Sequence, residues 1–411
     1  MIMNQKYNQY LIFKNNLSKL NKQSLAIVKI MFFYNFSSVI LNTFFGAIIY
    51  KINSSLMDLL IYSLIMICVS DLTFILFGVL ISIFKLSMKK NYYFSIIINT
   101  ISYIWLVFNN STLFDFYIFG VLHGISIGTY WLSLHTYELT HTKDKDRDFY
   151  ASVLSLGTQI LKLFVPFLST IIFFISIKLF NNEYLLLLYI IPLIYIFSLN
   201  PLKDIEEFKA QKLFINKFKK ELFTYENKII TIYTFFDSFK FGNLLVLNSY
   251  VTIIALNSLL NIGIATTVFS IITLLLTGII SNYRNINNRI KIMFIGIIGV
   301  ILAYIPLYYE INIYTYIWWS LMLIIFNPLY EITSRVINLY SMEKLMIEDS
   351  FYTSMIYRTT ILWFGRVLSL TIFIYLFWIL NDEKLIISIM ITIFLISYLV
   401  EYIMAKKVLL I

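Results

Sequence analysis

Asp237 and Lys240 stand three residues apart in one long apolar stretch, and Glu331 and Arg335 stand four apart in another. Either spacing puts both side chains on one helical face, where opposite charges pair. Asp71, Lys162 and Arg366 are set in three further apolar stretches. An ion at the centre of a bilayer costs from about 2.5 kcal/mol upwards unless it faces protein or water, so each needs a partner, and the partner is a candidate for function. A carboxylate sheltered from bulk water can also bind and release a proton. That makes Asp237 and Asp71 coupling candidates, against the plainer reading of permanent ion pairs with Lys240 and Lys162.

Other chemistry is poorly supplied. His135, Glu138 and His141 resemble a metal cluster only on paper, because a spacing of six turns the two histidines to different sides of a helix. Cys68 is the single cysteine, which leaves no disulfide framework and no thiolate cluster. No glycine-rich phosphate loop ending in Lys-Ser or Lys-Thr is present. No soluble segment is long enough to hold a catalytic centre. The expectation is a chain with no catalytic residues, no metal and no cofactor, not an enzyme.

The elements that position these ions follow from composition. The 411 residues are 60% hydrophobic and 13% charged, with a mean hydropathy of +0.81. Ordinary soluble domains carry about 25% charge. A spanning helix needs about 20 mainly apolar residues at 1.5 Å each. Twelve runs qualify: 24–50, 56–84, 93–109, 113–138, 150–176, 183–200, 229–255, 257–281, 292–309, 313–338, 352–380 and 385–404. They are apolar on consecutive positions, unlike the alternating strands of a membrane barrel. The fold class expected is therefore an all-α polytopic membrane protein of 12 transmembrane helices.

The net charge of +10 is a matter of placement. Of the Lys and Arg outside the runs, about 23 fall in one alternate set of connections and about three, Lys51, Lys178 and Lys384, in the other. That rhythm is the positive-inside pattern for an even number of crossings with both termini cytoplasmic, and it argues against a nucleic-acid partner. Of the six cations inside the runs, Lys29 and Arg358 lie near cytoplasmic ends and can snorkel to the interface. From those ends, Asp71, Lys162 and Arg366 lie at a shared depth of roughly 20 Å, and Asp237 and Lys240 at roughly 12 to 17 Å.

The longest polar segment, 203–228, splits the chain into related halves. Phe149-Tyr150-Ala151-Ser152 recurs as Phe351-Tyr352-Thr353-Ser354 at an offset of 202 residues, as Phe33-Tyr34-Asn35 does as Phe235-Phe236-Asp237. Gly78 falls 200 residues before Gly278, each ahead of a basic loop. A duplicated six-helix unit is the reading, one of the plans on which transporters are built. The domains expected are a cytoplasmic segment 1–23, bundles at 24–200 and 229–404, a central loop at 201–228 and a tail at 405–411. Phe208, Leu213, Phe214 and Phe218 among the lysines of that loop suggest a short amphipathic helix on the headgroups.

With this layout the whole chain resembles a divergent bacterial member of the major facilitator superfamily. The resemblance is carried by the six-plus-six arrangement and by Gly78-Val79-Leu80 followed by Lys85, Lys89 and Lys90, a form of that family's gating loop. Gly120 to Trp131 ahead of Arg147 resembles the family's fourth helix. Ser82 departs from the family, which has an acidic residue there. The resemblance implies two six-helix bundles related by a pseudo-two-fold axis, with runs 1, 4, 7 and 10 lining a cavity and runs 2 and 11, and 5 and 8, meeting between the bundles. Asp71 and Arg366 then become an ion pair between halves, either static or broken in one of two alternating states.

Asn35, Asn42, His123, Asp237, Lys240, Asn243, Asn327 and Glu331 are the cavity candidates. Gly120, Gly124 and Gly128 read first as a small-residue packing face, with His123 beside them a packing residue before a titrating one. Pro328 is a site for a kink. The expected activity is alternating-access transport of a small polar or amphiphilic solute across the plasma or inner membrane, with protons as an optional partner and a monomer in lipid. A flippase for lipids or lipid-linked molecules is the first alternative, and a membrane-embedded transferase the second.

Overall fold

The computed structural model describes residues 20–109, 112–142, 144–180, 184–208, 213, 224–280, 288–345, 351–380 and 382–410, with backbone only at 144–148, 152, 243, 245, 260, 274–280, 343 and 351. Within them each of the twelve apolar runs is a helix. These are α1 (Lys22–Asn53), α2 (Leu56–Phe84), α3 (Met88–Phe108), α4 (Leu113–His141), α5 (Asp144–Phe180), α6 (Leu185–Leu202), α7 (Tyr225–Leu256), α8 (Leu259–Ile280), α9 (Arg289–Tyr308), α10 (Ile313–Lys344), α11 (Phe351–Leu380) and α12 (Glu383–Val408). Among the described residues eleven helices are long and apolar enough to cross a membrane, and α8 contains a shorter apolar stretch, Asn261–Thr273.

Local chemistry sets the ends. Asn21, Ser55, Ser87, Thr224 and Asp382 accept a backbone N–H in the first turns of α1, α2, α3, α7 and α12, and Thr112 with Asp115 forms a reciprocal cap on α4. Such caps satisfy N–H groups that a helix leaves unpaired. Ser54, Lys85 and Asn257 close α1, α2 and α7 in the left-handed region at φ 53°, 51° and 58°. The chain can therefore reverse within a few residues and lay the next helix antiparallel. α1 is interrupted by a π-helical turn over Leu41–Phe45, while α10 continues through Pro328.

The packing repeats itself with a step of six helices. α1 packs on α5 and α6 as α7 packs on α11 and α12; α2 packs on α4 as α8 packs on α10; α3 packs on α4 and α6 as α9 packs on α10 and α12. The chain is two six-helix bundles related by pseudo-two-fold symmetry, joined along α2 with α11 and α5 with α8. Tyr150 and Tyr352, 202 residues apart, are both fully buried. The glycine face of α4 does pack closely. A Cβ at Gly128 would sit 2.2 Å from the Ser70 carbonyl oxygen, and one at Gly124 2.8 Å from that of Met66. Large apolar side chains such as Leu76, Ile83, Phe164, Phe174 and Leu193 face outwards, as lipid contact requires.

The end carrying Lys85, Lys90, Lys228, Lys344 and Lys406 is called the basic end below. There Lys22 Nζ lies 2.8 Å from an Asp204 carboxylate oxygen and holds that carboxyl below its usual range. Of the central loop, residues 209–212 and 214–223, and with them Phe214, Phe218 and most of the expected amphipathic helix, lie outside the described residues. Lys203–Phe208 is not helical beyond a turn, and Phe208 and Leu213 pack against the apolar core of the N-terminal bundle.

Candidate functional site

A cavity of about 550 Å³ lies on the seam between the bundles, from the middle of the helices towards the basic end. α1, α2 and α4 wall it on one side, and α7, α10 and α11 on the other. Beyond it, away from the basic end, the halves close on each other. A Cβ at Gly46 would sit 2.6 Å from Ser249 Cβ, one at Gly263 2.1 Å from Thr170 Oγ1, and Tyr50 meets Tyr250 edge to face at 5.9 Å. Towards the basic end Tyr352 Oη donates to the Gly78 carbonyl at 2.8 Å, and a Cβ on Gly78 would meet Ile356 at 2.9 Å.

Ion pairs cross the seam. Arg366 Nη1 donates to both carboxylate oxygens of Asp71, at 2.8 and 3.0 Å. Arg335 Nη2 donates to Glu138 Oε1 at 2.6 Å. That carboxylate also accepts from Tyr150 Oη at 2.9 Å and contacts His135 Nδ1 at 2.9 Å. In both pairs the acid belongs to the N-terminal bundle and the arginine to the C-terminal one.

A third cluster lies within the C-terminal bundle. Lys240, 4% exposed, donates to Asp237 Oδ1 at 3.1 Å, to Tyr330 and to Glu401. Its ammonium also stands 4.3 and 4.7 Å from the ring centres of Tyr330 and Tyr398. Tyr330 Oη donates to Glu401 at 2.6 Å. Asn338 Nδ2 donates to Asp237 Oδ2 at 3.2 Å, and Asn338 Oδ1 accepts from Arg358 Nη2 at 2.9 Å. A single amide thus joins the Lys240 cluster to Arg358.

Most sequence-derived candidates line the cavity: Asn35, Asn42, Asp71, His123, Asp237, Lys240, Asn327, Glu331 and Arg366. Asn35 donates to Thr158 at 3.0 Å, and Asn42 to Ser38 at 3.2 Å. His123 is buried against Asn99, 3.0 Å away, and stacks on Phe119. The side chain of Asn243 lies outside the described residues. Gly78 lies at the seam, whereas Lys85 and Lys90 are exposed and Lys89 is partly buried.

Three expectations are corrected. Glu331 and Arg335 do not pair: Glu331 accepts from Asn327 Nδ2 at 2.7 Å, and Arg335 reaches across the cavity to Glu138 instead. A buried carboxylate on the facing helix holds a guanidinium better than a solvated one on its own helix. Arg358 does not snorkel; it is 7% exposed and points inwards to Asn338. Lys162 does not join Asp71 and Arg366. It is half-buried outside the cavity lining, and its carbonyl accepts from Ser270 Oγ of α8 at 2.7 Å.

Glu401, Tyr330, Asn338 and the pairing of Glu138 are absent from the sequence-derived candidates. For Glu401 the signal exists, an acid inside the apolar run 385–404. The others depend on which helices face each other. His135, Glu138 and His141 do not converge: the His141 carbonyl accepts from Asn21 and Ser24, and no metal-holding group of three His, Cys, Asp or Glu occurs among the described residues.

A family model described as Major Facilitator Superfamily matches residues 27–346. Among solved structures, the fold is similar to that of the human organic anion transporter MFSD10 (TETRAN), with a TM-score of 0.63 and 11% identity over 92% of this chain and 99% of that one. No curated protein matches by sequence.

Proposed function

Because the chain belongs to the major facilitator superfamily and is a multi-pass membrane transporter, we propose that it moves a small polar or amphiphilic solute by alternating access. In this reading the bundles 24–200 and 229–404 rock about the central cavity. The observation that supports it is the seam itself: a cavity bounded by two ion pairs whose partners come from opposite bundles. Parting the bundles at the basic end must break both pairs, and closing that end must remake them.

In this reading the basic end faces the cytoplasm, which the distribution of Lys and Arg supports, with both termini inside and the protein in the plasma or inner membrane. A monomer suffices, since the cavity is complete within one chain. Asn35, Asn42, Asp237, Lys240, Asn327 and Glu331 are the substrate-facing residues in this reading. Asp237 is the coupling carboxylate: it lines the cavity and its side chain is 19% exposed, against 8% for Asp71. Transport that still follows an imposed proton gradient in Asp237→Asn would remove it from that role.

The test of alternating access needs no substrate. Spin labels at Lys90 and Lys344 report the basic end, and labels at Ile52 and Asn261 report the other. In lipid nanodiscs the two distances should change in opposite senses between populations. Two distances that stay fixed, or widen together, refute the proposal.

A further inference from the structure

The cavity carries an uneven set of charges. Three arginines line it, all from the C-terminal bundle: Arg335 on α10, and Arg358 and Arg366 eight residues apart on one face of α11, about 12 Å along the axis. Two are answered by acids of the opposite bundle. Arg358 is not. It is 7% exposed, its Nη2 donates to a neutral amide, its Nε is buried without an acceptor, and no carboxylate among the described residues forms an ion pair with it. Nε of Arg335 and of Arg366 is buried without an acceptor as well.

The cavity acids show no matching deficit. Asp71, Glu138 and Asp237 are each paired with a cation. Glu331 is exposed and accepts from Asn327, so water compensates it. The carboxylate nearest to Arg358, Asp237, reaches it through Asn338 and is held directly by Lys240, so Arg358 has no direct counter-ion, and an anion in the cavity supplies one. The wall opposite is aromatic: Tyr34 meets Trp131 edge to face at 5.5 Å, and Trp131 stacks on His135 at 4.9 Å, with Phe74 beside them.

We propose that the cavity takes an amphiphilic anion, its carboxylate or phosphate-like head on Arg358 and its apolar body against Tyr34, Phe74 and Trp131. This deepens the transport reading and rests on it. When the basic end parts, Arg335 and Arg366 leave Glu138 and Asp71 behind on the other bundle. The anionic head then replaces charge that the seam acids supplied, so binding and opening favour each other.

The test uses the full chain in detergent and three probes with one body and different charge: naphthalene-1-acetate, its primary amide, and 2-(1-naphthyl)ethylamine. The acetate should raise the melting temperature saturably and the other two should not. Arg358→Gln should weaken acetate binding about tenfold or more, as expected for one charge-assisted contact, while Arg358→Lys should keep the preference for the anion. Stabilisation by the amine, by all three alike or by none overturns the proposal, as does unchanged acetate binding in Arg358→Gln. Should Arg358→Gln fail to fold, the wild-type panel and Arg358→Lys decide. The spin-label distances separate this from the broader reading. Opposed distance changes with no preference for acetate sink only the anion assignment, and absent changes sink the transport reading whatever the probes do.

Discussion

Replacing Asp71 by Asn should release the basic end. Asp71 and the Arg366 guanidinium meet through two bonds of 2.8 and 3.0 Å, with side chains 8% and 21% exposed. Breaking a fully buried pair by removing one partner costs about 3 to 5 kcal/mol. Part of Arg366 faces the cavity and is screened there, so about 2 to 3 kcal/mol is the share specific to the closed seam. At 1.4 kcal/mol per tenfold, the ratio of seam-closed to seam-open molecules should fall roughly 30- to 140-fold. In the open arrangement water in the cavity solvates the arginine, so that state loses little. Pulsed dipolar spectroscopy between labels at Lys90 and Lys344 should show the longer-distance population grow in Asp71→Asn. It should shrink again in the charge swap Asp71→Arg with Arg366→Asp. An unchanged distribution in the single variant, or no recovery in a swap variant that inserts normally, would refute the idea that this pair holds the seam.

Lys240→Met leaves Asp237 and Glu401 without their shared cation and should destabilise the protein by about 3 to 5 kcal/mol, seen as a lower melting temperature; adding Glu401→Gln should recover part of that loss. Gly128→Ala puts a methyl 2.2 Å from the Ser70 carbonyl and should cost about 1 to 3 kcal/mol through overpacking of α2 on α4. Gly157→Ala meets only Phe32, at 3.7 Å, and should not lower the melting temperature, since alanine is the better helix former. Tyr352→Phe removes the hydrogen bond to Gly78 across the seam and should shift the Lys90 to Lys344 distances towards the open population by about 0.5 to 1.5 kcal/mol.

The helices were legible because lipid imposes a length and a composition that few other environments demand, so the runs around Asp71 and Asp237 could be counted directly. The pairing of Asp71 with Arg366 was also within reach. It follows from equal depth on two helices that the family packing brings together. Depth alone misled for Lys162, because it gives a residue's height on a helix and not the direction in which it points. Arg335 shows the same limit from another side. Its spacing from Glu331 fitted a helical pair, yet a better-buried acid on α4 took it, and nothing in a linear sequence ranks partners on different helices. Asn338 joins Asp237 to Arg358 only because α7, α10 and α11 converge, a fact of packing that no motif announces.

The sign of the two seam bridges has an evolutionary consequence. Counted by the 202-residue offset, the positions matching Asp71 and Glu138 hold Thr273 and Tyr340, and those matching Arg335 and Arg366 hold Ser133 and Phe164. Two copies of the first bundle would bring carboxylates to the joint with no guanidinium to receive them, and two copies of the second would do the reverse. The duplicated units have become complementary, so neither can stand in for its sibling, and a gene encoding one of them alone would make a membrane protein with its charges unanswered.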